Sequence, residues 1–68
     1  MSKALFNELM AYEDGELDTT EIVELFSKLV RSGMAWQLQG MYGRQAMSLI
    51  NRGYLDKEGN ILERDNEE

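Results

Sequence analysis

Leu5, Phe6, Leu9 and Met10 fall at helical spacing across residues 3–12, and Tyr12 or Glu13 closes that segment. After a polar interruption, Ile22, Leu25, Phe26, Leu29 and Val30 form one stripe of a second helix, with Glu21, Glu24, Lys28 and Arg31 off it. Glu24 stands four residues before Lys28, the favoured order for a surface ion pair. The apolar piece MAWQLQ predicts one or two helical turns ending at Gly40. Residues 42–52 then return to the helical period, with Tyr42, Ala46, Leu49 and Ile50 on one face. Last comes YLDKEGNIL, two short extended runs around DKEGN, which predicts a small β-hairpin that must rest on helices to persist. The pattern as a whole predicts a mostly α fold: a compact domain of three to four helices with a short C-terminal β-hairpin, the element order of a winged helix.

Punctuation supports these boundaries. In EDGELD, Gly15 supplies the positive φ of a turn. Asp18 is a good N-cap, and Glu21 three residues later completes a capping-box pattern. Gly33 stops the second helix and Gly53 the last one. Residues 1–62 read as a single helical domain, and 63–68 as an acidic tail expected to be disordered.

Composition narrows the chemistry. The 68-residue chain is 43% hydrophobic and 29% charged, ordinary for a soluble domain. It contains no Cys and no His, so a disulfide is impossible and zinc loses its two preferred ligand types. A core this small yields only a few kcal/mol of net stability, which leaves tight packing and self-association, hence a homodimer, as the expected stabilisers. No stretch approaches the ~20 apolar residues that span a bilayer, and the N-terminus meets charge too early for a secretory signal; a cytosolic protein is expected. Thirteen acids against seven bases give a net charge of −6, which repels nucleic acid unless the bases gather on one face.

Four constellations merit weighing. DGELDTTE matches the second half of a calcium loop, with Asp14, Gly15, Leu17 and Glu21 in register, but Met10 and Tyr12 fall where carboxylates are needed. Capping by Asp18 and Glu21 explains the same residues. Catalysis lacks the usual bases and nucleophiles, and no carboxylate pair sits among apolar residues; no enzyme, cofactor or metal is expected. Read as a winged helix, residues 41–52 become the recognition helix and 56–60 the wing, with Arg44, Gln45, Ser48, Asn51 and Arg52 as readers of bases and phosphates. Finally, GMYG sets Gly40 and Gly43 around the start of the last helix, where Arg44 and the outward amides suit a carboxylate or phosphate. On the plainer reading Gly40 ends the short helix and Gly43 lets Trp36 or Tyr42 approach bare backbone, so that Gly43→Ala destabilises the fold.

The string from ELMAYEDGELD through VELFSKLVRSGMAWQLQGMYGRQAMSLINRGYLD resembles a family of very small proteins encoded by tailed bacteriophages. The resemblance covers about residues 8–55 and rests on Leu38-Gln39-Gly40, Tyr42-Gly43-Arg44 and Leu49-Ile50. It implies a phage origin and expression in a bacterial host cytoplasm, and assigns no activity and no site residue. The resulting expectation is a non-enzymatic protein-binding module, an inhibitor or modulator of a host protein. Trp36, Gln39, Met41, Tyr42, Arg44 and Gln45 are the partner-binding candidates. The alternatives are a winged-helix DNA-binding regulator and an acidic DNA mimic; nucleic acid ranks below protein as a partner, and no membrane is expected. Phe6, Met10, Val23, Met34, Met41 and Met47 lie at the edges of the apolar stripes, where methionine suits an adaptable binding face.

Overall fold

Helix α2, Thr19–Ser32, is the element around which the rest is arranged. In the computed structural model, which describes residues 3–38 and 40–62, Asp18 takes an extended conformation and accepts the Glu21 N–H, while Glu21 returns the bond to the Asp18 N–H. Glu21, the closing carboxylate of the calcium-like reading, is thus engaged in capping. Gly33, at φ 81°, ends the helix in the left-handed region. The Ser32 hydroxyl then donates to the Leu29 carbonyl and accepts from the Met34 N–H, serving groups the helix end leaves unpaired.

Helix α1, Lys3–Glu13, lies against α2, and α3, Gly40–Asn51, against both α2 and the single 3₁₀ turn Met34–Trp36. Leu9, Leu25, Phe26, Leu29, Tyr42, Ala46 and Leu49 are buried between them. At the centre, the Tyr12 and Phe26 rings meet edge-on at 5.2 Å, and Phe26 stacks near Tyr42 at 6.2 Å. Lys28 does not pair with Glu24 as its spacing suggests. It reaches across to Glu8 of α1 at 2.9 Å, a surface bridge that contributes about 0–1 kcal/mol.

Two boundaries depart from the sequence pattern. The turn at Met34–Trp36 is over by residue 38, because the Gln37 and Leu38 N–H groups both bond the Met34 carbonyl; Gly40 therefore opens α3 rather than closing the piece before it. The hairpin is reduced to one antiparallel bridge, Leu55 with Ile61, and no β-strand forms among the described residues. The reason lies in Asp56. Its N–H donates to the Asn60 carbonyl, its Oδ1 accepts the N–H groups of Glu58 and Asn60, and its Oδ2 accepts the Asn60 amide. These bonds close 56–60 into a turn and hold the Asp56 carboxyl below its usual range. Little length remains for ladder pairing. That support is present above the ordinary carboxylate range and lost as pH falls through the depressed value.

This closed turn lies on α2. The buried Ser27 hydroxyl donates to the Gly59 carbonyl, and Arg31 donates to that carbonyl and, at 3.1 Å, to the Asn60 side chain. Leu55 is fully buried beneath the segment. The docked segment explains why α2 buries more than one stripe: Val23 and Ser27, one turn apart on its flank, are covered too. The predicted domain over 1–62 and the tail over 63–68 meet at the edge of the described residues, and the tail lies outside them.

Candidate functional site

The outward face of α3 presents Gly40, Arg44, Met47, Ser48 and Asn51 in one row, because residues three and four apart on a helix share a face. Arg52 extends the row, since its N–H still bonds the Ser48 carbonyl. Together with Trp36, and with Gly43 between, these residues line an open groove of about 830 Å³. Trp36 is half exposed, at 50%, and its ring borders Gly43: a Cβ there would stand 3.7 Å from Trp36 Cε3 and 3.5 Å from the Ala35 carbonyl. Arg44 folds back over the first turn of α3, with Nη1 3.3 Å from where a Cβ on Gly40 would lie. Met47 is exposed. No acidic side chain lines the groove among the described residues.

Of the six partner-binding candidates, Trp36 and Arg44 line this groove. Met41 is exposed but outside the lining, and Gln45 is half-buried. Gln39 lies outside the described residues. Tyr42 is buried, so it offers no surface to a partner; it belongs to the aromatic core, and its hydroxyl donates to the Glu13 carboxylate at the end of α1. Ser48, Asn51 and Arg52, singled out as nucleic-acid readers, share the groove with Arg44, whereas Gln45 does not. The proposed wing does not project. Residues 56–60 are the turn docked on α2. Met47 is the groove residue that spacing pointed to only as a stripe edge; the signal was the row 40, 44, 47, 48, 51 itself.

A family model described as "Domain of unknown function (DUF7417)" matches residues 1–68. The chain belongs to this family. No curated protein and no solved structure matches it. Family membership therefore covers the whole chain. Among the described residues no helix is long and apolar enough to cross a membrane, and no group of three or more acidic, His or Cys side chains is placed to hold a metal ion.

Two measurements check this geometry. The space beside Gly43 admits a methyl group at ordinary contact distance, and Gly43 sits inside α3 without a positive φ. Gly43→Ala is therefore expected to raise stability by about 0.5–1 kcal/mol, through helix propensity, and the melting temperature by about 4 °C. This reverses the expectation from sequence that the glycine is sterically required. Burial and then the bond to Glu13 push the Tyr42 hydroxyl up from its ordinary 10.0 to about 12. A raised folded value favours the protonated form, so its contribution is complete below pH ~10 and lost as pH rises towards 12. Melting temperature is expected to fall across that window, and less steeply in Tyr42→Phe.

Proposed function

We propose that the chain is a non-enzymatic, phage-encoded protein-binding module that works in the bacterial host cytoplasm, gripping a host or phage protein through the groove on α3. The observation that carries this reading is the makeup of the groove. It joins a half-exposed Trp and an exposed Met to two arginines, in a chain whose net charge is −6. Tryptophan and arginine are the residue types most often found at the energetic centre of protein interfaces. Methionine adapts to irregular partner surfaces. The absence of Cys and His from the sequence supports a binding role over catalysis. A homodimer belongs to the same proposal, supported by exposed Phe6 and Met10, one turn apart on α1; a strict monomer in sedimentation at high concentration would remove that part.

The test is retention of a partner by the immobilised chain from infected or host cells, compared with Arg44→Glu. Arg44 is exposed and outside the core, so the variant should melt like the parent while losing the partner. Equal retention by both would place binding elsewhere. A second reading, a DNA-binding regulator, is favoured by the row Arg44, Ser48, Asn51 and Arg52, residue types that bond bases and phosphates. It predicts duplex retardation in low-salt gels that weakens steeply with salt.

A further inference from the structure

Helix α1 carries apolar side chains on two sides, and only one side is covered. Leu5, Leu9 and Tyr12 turn inward and join the core. Lys3, Phe6, Met10 and Glu13 recur at intervals of three, four and three, the spacing of the seam along which two helices pack. At about 100° per residue, these four side chains fall within about 80° of the helix circumference. All four are exposed, Phe6 at 54% and Met10 at 44%, and α2 is the one element that α1 packs on among the described residues. We propose that this face is occupied by α1 of a second copy of the chain, running antiparallel, with Phe6 of each copy against Met10 of the other. This rests on the homodimer part of the protein-binding reading and adds to it the helix, its direction and its register.

Charge selects the direction. The seam is apolar at its centre, with a base at its first end and an acid at its last. A two-fold axis midway between Phe6 and Met10 sets Lys3 opposite Glu13 of the second copy, and the same pair recurs at the other end. A parallel pair would instead set Lys3 against Lys3 and Glu13 against Glu13. Lys3 makes no ion pair among the described residues. Glu13 keeps Oε1 for a partner, because the Tyr42 hydroxyl bonds Oε2. Asp14 continues the helical path, its N–H bonding the Met10 carbonyl, and sets a second exposed carboxylate beside Glu13. At the centre, a thioether packs favourably against an aromatic ring. Each copy carries a net charge of −6, but the Debye length at physiological salt is about 8 Å. Acids far from the seam are therefore largely screened, and the facing pairs count most. Three turns of helix fall short of the ~1,200 Å² of a standard interface, so a weak dimer is expected, with a Kd of about 0.1 mM.

The unaltered chain supplies the test of direction. Lys3 and Glu13 lie about 15 Å apart along α1, too far for a zero-length carbodiimide bond within one copy. The full chain is treated with carbodiimide near the expected Kd, and the crosslinked dimer is digested and mapped by mass spectrometry. Amide bonds from Lys3 to Glu13 or Asp14 are expected. Sedimentation equilibrium up to about 1 mM is expected to show a reversible monomer–dimer equilibrium. Association should weaken at least tenfold in Phe6→Glu and several-fold in Lys3→Glu. Both variants should melt like the parent, because the altered side chains are exposed. Equal association of parent and Phe6→Glu would overturn the α1 face and leave a homodimer through another surface. A crosslinked dimer in which Lys3 is joined to neither acid would overturn the antiparallel register. A strict monomer up to about 1 mM would remove the homodimer altogether, while partner retention through the α3 groove would stand or fall on its own test.

Discussion

Gly59→Ala is expected to remove about 3 kcal/mol of stability, most of what a domain of this size possesses. Gly59 is buried at φ 91°, in the region L-residues avoid. A Cβ there would stand 2.7 Å from Arg31 Cγ and 2.9 Å from both the Arg31 nitrogen and the Ser27 carbonyl oxygen. Two of the three neighbours are helix backbone and cannot swing away. Strain of about 1–2 kcal/mol from the left-handed conformation therefore adds to about 1–3 kcal/mol of overpacking. Gly15 provides the control, because its φ is 76° and nothing lies within 4 Å of its Cβ position. Gly15→Ala should cost only the conformational part. Urea midpoints of the two variants decide it: equal losses would mean that Gly59 does not meet α2 closely.

Leu55→Ala is expected to cost about 2–5 kcal/mol. Leu55 is 0% exposed, in the same core as Phe26 and Leu29. It holds the 54–62 segment from below as Gly59 holds it from the side. Because either change releases that segment, the double variant should lose clearly less than the sum of the two single losses. Strict additivity would mean that the segment and the helices are independent.

The helical part of this architecture was legible because its signals are local. Asp18 with Glu21 announces a capped start, Gly33 and Gly53 announce ends, and the stripe of α2 names Phe26 and Leu29 as core. What was not legible depends on contacts distant in sequence. Ser27 and Gly59 are 32 residues apart, and nothing in DKEGN alone distinguishes a projecting wing from a docked turn. Lys28 found Glu8 of another helix rather than its neighbour one turn away. The groove was half visible. Arg44 and Trp36 stood out by residue type, whereas joining Arg52 to them required knowing that α3 starts at Gly40 and keeps one face outward as far as Arg52. Tyr42 misled as a site candidate because an aromatic beside two glycines reads equally as surface or core, and burial is set by α1 and α2.

The most direct test of the groove as a protein-binding surface is site-specific photo-crosslinking in a bacterium that expresses the chain. A benzophenone side chain at position 47, in the groove, is compared with one at position 16, in the exposed turn between α1 and α2. A discrete protein adduct is predicted from position 47, absent from position 16 and lost when Arg44→Glu is added. No adduct from position 47, or the same adducts from both positions, would contradict it.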